Sequence, residues 1–212
     1  MPGKLTTGLF EADFLQKYLT KPVPDHCYFV QYRRFGRRYM AIEISEQTVK
    51  EIILSVFAAV TEQLADIELT ESSAVPEVID DPLSVVVMSR GNFISKAVMT
   101  LPRGFAQTIV DRMSDGSELS QSDREAYFLE FVNIFFGRFI SAVNNKTGHP
   151  SRFVIPQLQQ GAYQDNADAS IYNNSVSAGM SGEFGDLRIV IRYDILPDYS
   201  KLQGLAEGGK NI

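Results

Sequence analysis

The stretch EFVNIFFGRF, Glu130 to Phe139, sets a carboxylate three residues before a carboxamide, and a glycine four residues after that, inside an otherwise apolar run. With about 100° per residue and Glu130 at zero, Asn133 falls at about −60°, Gly137 at about −20°, Ser141 at about +20° and Asn144 at about −40°. Asp123 and Ala126 share that arc, and Ile134 enters its edge at about +40°. Most other positions are Tyr127, Phe128, Leu129, Phe131, Val132, Phe135, Phe136, Phe139, Ile140 and Val143. The spacing predicts a long helix, buried over most of its surface, with one narrow window carrying Glu130, Asn133 and Gly137. A purely solvent-facing stripe favours Lys, Glu, Gln and Ala. Asn is a mediocre helix former, and Gly costs about 1 kcal/mol against Ala in a helix interior. Gly137 therefore marks a place where another backbone or helix comes close. The stripe reads either as the wet side of a core helix or as a functional surface.

Outward from this helix, Ser120 or Ser122 is the expected start, Ser122 and Glu125 fitting a capping box. The helix is expected to end near Asn144, with Gly148 and Pro150 as the stop signal. A second strong amphipathic helix spans about 46–65, from the N-cap Ser45 through Val49, Ile52, Ile53, Val56, Phe57, Val60 and Leu64. The acidic, turn-rich run 66–82 contains a strand near IELTES. LSVVVMSRGNFISKAVMTL predicts a hairpin turning at Arg90-Gly91-Asn92. Pro102 suits the first turn of a short helix ending near Met113. RFVIPQL reads as one short strand, and SVSAGMSGEFGDLRIVIRYDI as two strands around Gly182 to Gly185. The polar insertion near 160–174 reads as loop, and the tail 197–212 as flexible. The order of helix and paired strands repeats in the two halves, hinting at a duplication that residue identity does not support.

Residues 1–44 form a separate N-terminal extension with a hairpin-like pattern, in which Tyr28, Val30 and Tyr32 alternate with Phe29 and Gln31. Arg33, Arg34, Arg37 and Arg38 read as its solvated tip rather than as an anion site. The chain has 212 residues, 44% hydrophobic and 22% charged, as expected of one globular core. A net charge of −6 argues against a nucleic-acid surface. No run suggests a membrane span or a leader, so a cytoplasmic location is expected. With Cys27 alone, and only His26 and His149, neither a disulfide framework nor a metal centre is expected. Asp80-Asp81 reads as a solvated turn. Neither a P-loop nor a nucleophile-elbow motif is present.

The order GNFISKAVMTL, helix, ELSQSDREAY, EFVNIFFGRF and EFGDLRIVI, over about residues 45–195, resembles the CheC/CheX/FliY family of chemotaxis phosphatases. That family carries E-x-x-N on a long helix, usually with Gly four positions further on; here these are Glu130, Asn133 and Gly137. At the corresponding place in the first helix, Glu51 is followed at the third position by Leu54, so one half looks inactive, as in CheX. The resemblance implies an α/β, CheC/CheX-like domain over 45–196. It would have a mainly antiparallel sheet of about six strands, two long helices packed on one face and a shorter third helix. It implies hydrolysis of the aspartyl phosphate of a CheY-like response regulator. Glu130 and Asn133 would be catalytic, and Gly137 and Ser141 would contact the partner. Asn133 would orient the attacking water and Glu130 would pair with a receiver lysine. No cofactor is expected in this chain, the Mg²⁺ lying in the receiver, and a homodimer is possible. The alternative is a catalytically inactive docking or dimerisation module of the same fold.

Overall fold

The computed structural model describes residues 44–164 and 171–196. The hairpin-like extension up to residue 43, with Cys27, His26 and the arginine cluster, lies outside these residues, as do 165–170 of the insertion and the tail from 197.

Among the described residues, three helices and seven strands follow in order. They are α1 (Glu46–Ala65), β1 (Thr70–Glu71), β2 (Pro82–Gly91), β3 (Phe93–Pro102), α2 (Arg103–Met113), α3 (Gln121–Thr147), β4 (Ser151–Phe153), β5 (Gln157–Gln160), β6 (Asn174–Gly182) and β7 (Gly185–Ile195). All strand pairs are antiparallel, in the order β1-β6-β7-β3-β2-β4, with β5 also pairing β2. This is the expected α/β architecture, with seven strands in place of about six. The extra one arises because RFVIPQL is two segments. Val154 still donates its N–H to Met88 O at 2.7 Å, but Pro156 has no N–H to give. Ile155 and Pro156 then stand together opposite Val87 before Gln157 pairs with Val86, a two-against-one bulge.

The strand order has an approximate two-fold logic. Hairpins β2–β3 and β6–β7 meet at the central β3–β7 pair. The strand after α1 joins the hairpin of the second half, and the strands after α3 join that of the first.

Alternation places one set of strand side chains beneath the helices. Leu83, Val85, Val87, Phe93, Ala97, Met99, Leu101, Val176, Ala178, Met180, Leu187, Ile189, Ile191 and Tyr193 are all buried. Against them α3 buries Phe128, Phe131, Phe135, Phe136 and Phe139. Phe57 of α1 meets Phe131 and Phe135 edge-on, with centroids 5.7 and 4.9 Å apart. Each such ring contributes about 1.5–3 kcal/mol on burial, so α1 and α3 are fixed mainly by this aromatic seam. By length and composition α3 is also apolar enough to cross a membrane, which corrects the expectation that no segment reaches that measure. Its apolar side is occupied by the sheet and by α1.

Capping follows the sequence at α1, where Ser45 Oγ accepts from Thr48 N at 3.1 Å. At α3 the cap is Ser120. Its hydroxyl accepts from Asp123 N at 3.2 Å and donates to the Asp123 carboxylate at 2.6 Å. The Ser122–Glu125 box does not form; Glu125 instead accepts from Gln121 at 2.9 Å. Pro102 is the N-cap residue of α2 rather than part of its first turn. α3 continues to Thr147 before Gly148, at φ 70, closes it.

Tyr193 is 1% exposed, and its hydroxyl has no hydrogen-bond partner among the described residues. Burial, with the Glu46 carboxylate as a smaller cause, pushes its pKa above the ordinary phenol value. The folded state therefore holds this proton more tightly than the unfolded chain. Stability is lost as pH rises through the range above about 10. Tyr193→Phe is expected to stabilise the domain by about 1 kcal/mol and to flatten that alkaline loss. Urea unfolding of both proteins between pH 7 and 11 measures it, and equal slopes above pH 10 would refute the assignment.

Candidate functional site on helix α3

The exposed arc of α3 carries the pair singled out by spacing. Glu130 is exposed and Asn133 half-buried. Asn133 Nδ2 donates to Glu130 Oε2 at 3.5 Å, the outer limit of a hydrogen bond. The carboxamide is thus loosely held and its oxygen is left for another donor. Glu130 makes no ion pair among the described residues. The two nearest cations of the helix are engaged elsewhere. Arg138 donates to Gln63 Oε1 of α1 at 2.7 Å, and Arg124 pairs with Asp111 of α2 at 2.6 Å.

One turn on, Gly137 is half-buried. A Cβ built there would meet only Phe153 Cε1, at 3.7 Å, an ordinary van der Waals contact. The expected close approach of a backbone or helix is therefore absent within the described residues, and the fold has room for a methyl group. Ser141 is exposed, and its hydroxyl donates to Gly137 O at 2.8 Å. Asn144, on the same arc, has a structural task. Its Nδ2 donates to Ser151 O at 3.0 Å and its Oδ1 accepts from Ser151 N at 2.9 Å, clamping β4 to the end of α3. Two neighbours of the arc escaped the helical projection. Phe153 belongs to another element, and the exposed Ile155 is turned outward by the bulge that Pro156 signals.

The other motifs fall into structural roles. Asp81, at φ 41, accepts from Arg103 Nε at 3.2 Å and ties the turn before β2 to α2. Glu51 of α1 is exposed and accepts from Gln47 at 3.0 Å, while Leu54 packs against the core, so α1 offers no matching carboxamide.

A depression of about 370 Å³ lies at the C-terminal ends of α1 and α2, lined by residues including Asp66, Asp111 and Arg112. A smaller one, about 60 Å³, lies between α2, α3 and β5. Glu130 and Asn133 line neither. They stand on the outward arc of α3, outside both depressions, whereas small-molecule sites are concave, so this face suits a macromolecular partner better.

No family model and no curated protein matches this sequence. Solved structures do match its fold. The chemotaxis protein CheX from Desulfovibrio desulfuricans superposes with a TM-score of 0.58 at 14% identity, covering 69% of this chain and 99% of that one. CheX from Vibrio vulnificus gives 0.57 at 15% identity, covering 72% and 100%. A CheX–CheY–BeF3–Mg complex from Borrelia burgdorferi gives 0.53 at 13% identity, covering 68% and 96%. The protein thus has the α/β fold shared by CheX, CheC-like and FliY chemotaxis proteins.

Because the fold leaves room at Gly137, Gly137→Ala is expected to raise stability by about 1 kcal/mol through helix propensity alone. Thermal or urea melts measure this. A destabilised Gly137→Ala would show that the glycine serves the packing of this chain.

Proposed function

We propose that this protein hydrolyses the aspartyl phosphate of a CheY-like response-regulator receiver in the cytoplasm. The observation that supports this best is a carboxylate and a loosely held carboxamide, adjacent on the exposed arc of a helix in a CheX-like fold. That one protein of this fold is known in complex with CheY, BeF3 and Mg adds weight. That arc enters the receiver's phosphorylation site. Asn133 donates to and accepts from one water, setting it in line with phosphorus. That water's oxygen bonds to phosphorus as the P–O bond to the receiver aspartate breaks, releasing inorganic phosphate and a free carboxylate. Phosphoryl transfer needs positioning and charge compensation rather than a protein nucleophile. The Mg²⁺ is the receiver's own. Glu130 pairs with a receiver cation and holds the complex together. Gly137 keeps the arc low enough for the partner to seat, and Ser141 continues the contact one turn further.

Asn133→Ala is expected to lower turnover about a hundredfold or more, with modest loss of affinity for the activated receiver. Glu130→Ala is expected to raise KM, with much of the rate recovered at high receiver concentration. Neither change should cost more than about 1 kcal/mol of stability, since both sit on the exposed arc. Gly137→Leu should block association by bulk alone. The measurement is dephosphorylation across a receiver concentration series, with melts alongside. Wild-type rates from Asn133→Ala would sink the insertion mechanism. Tight receiver binding without turnover by the wild type would leave the inactive docking module as the better account.

A further inference from the structure

Large apolar side chains exposed among the described residues are Val78, Met88, Tyr127 and Ile155. Two of them lie close to the level of Glu130 and Asn133 along α3. Tyr127, 38% exposed, lies one turn before Glu130, at about +60° on the helix. Ile155, 57% exposed, follows β4, whose contacts with Gly137 and Asn144, at about −20° and −40°, put that segment on the side of the arc opposite Tyr127. Its level along α3 follows from the contacts that bracket it. Asn144 holds Ser151, Gly137 lies against Phe153, and Glu125 and Phe128 share a depression with Leu158 and Gln160. The chain from 151 to 160 therefore runs antiparallel beside α3. Its middle, between Phe153 and Leu158, passes the turn that carries Asn133.

Ile155 is exposed on a rigid support. The clamp of Asn144 on Ser151 fixes the start of β4. Ser151 Oγ accepts from Phe93 N at 2.8 Å. Gly91, at φ 114, lets Pro150 pack where a Cβ would stand 2.6 Å from Pro150 O. Val154 N is bonded to Met88 O, Pro156 is buried, and Gln157 is in register with Val86. A side chain so presented loses little entropy when a partner covers it.

We propose that Tyr127 and Ile155 are apolar anchors on either side of Glu130 and Asn133, and that the receiver seats on all four as one docking surface. This rests on the receiver reading above and specifies the chemistry of the partner face: a cation for Glu130, set between two apolar side chains. Charge supports that occupant. Glu130 has no ion pair among the described residues, and Arg124 and Arg138 are both engaged away from the arc. An apolar contact beside a charge-assisted one also excludes water from it, the usual composition of an interface hot spot.

The test uses the full chain and beryllofluoride-activated receivers. Affinity, turnover at saturating receiver, thermal melts and sedimentation are measured for wild type, Ile155→Asp, Ile155→Ala, Tyr127→Ala and, as a control, Val78→Asp. Ile155→Asp is expected to weaken receiver binding about tenfold or more, with turnover at saturation and melting unchanged. Ile155→Ala and Tyr127→Ala should move affinity in the same direction by less. Val78→Asp, on a loop remote from the arc in sequence and also exposed, should bind as wild type. Wild-type affinity in Ile155→Asp, or altered self-association with receiver affinity intact, would overturn the docking assignment while leaving the receiver reading in place. A wild-type protein that neither binds nor dephosphorylates any activated receiver would remove that reading, and this surface with it.

Discussion

The seam between Phe57 of α1 and Phe131 and Phe135 of α3 fixes what the rest of the molecule can present. Once those rings are packed edge to face over the sheet, α3 has no rotational freedom left. Phe139 extends the seam to Phe93 of β3, whose ring stacks on Tyr193 of β7. A helix held on its aromatic side by a second helix and two central strands must turn its remaining arc outward. Glu130 and Asn133 occupy that arc. Their exposure therefore follows from burial elsewhere, and rotating α3 by one residue would place a phenylalanine in water and a carboxylate in the core.

The same logic separates what was legible in the sequence from what was not. The 3.6-residue period set α1 and α3 and the polar window of α3, because burial of a helix face is written directly into its sequence. Alternation and turn chemistry gave both hairpins. Errors gathered where neighbouring residues compete for one task. Ser120 and Ser122 both suit the cap, and the choice fell to Ser120 because Asp123 completes a reciprocal pair with it. RFVIPQL has enough β-branched and aromatic character for one strand, yet Pro156 breaks the ladder and produces β4, a bulge and β5. At the site, a helical projection can rank only residues of the same helix. Phe153 comes from β4 and Ile155 from the bulge after it, and the fold alone brings β4 beside α3. Asn144 shows the converse. The projection groups it with Asn133, but a bidentate clamp on Ser151 gives it a structural task.

Strand order bears on why one half can expose a Glu–Asn pair while the other does not. Hairpins β2–β3 and β6–β7 meet back to back at β3–β7, and each receives an outer strand from the opposite half. Such an arrangement gives α1 and α3 comparable places over the sheet, so either could expose a polar pair. In α1 the third residue after Glu51 is Leu54, which packs against the core, and a leucine there adds apolar burial rather than a hydrogen-bonding group. The two helices share the work of covering the sheet, and of the two only α3 carries an asparagine three residues after an exposed glutamate.

An outward helix face also limits the kind of chemistry that its side chains could perform. A carboxylate and a carboxamide in open solvent lack the low-dielectric walls that strengthen charge interactions. Alone, such a pair is a weak catalyst. Inserted into a partner's cleft, the same groups leave water together, and their hydrogen bonds gain strength at the moment of association. Asn133 suits this use better than an ionisable residue would, because a neutral amide crosses into a partner without the desolvation cost of a charge. Glu130 would carry that cost, which a cation in a partner's cleft would offset. The glycine one turn on, with room beside it for a methyl that the chain does not supply, is what such a face requires if its polar groups are to reach the bottom of a cleft.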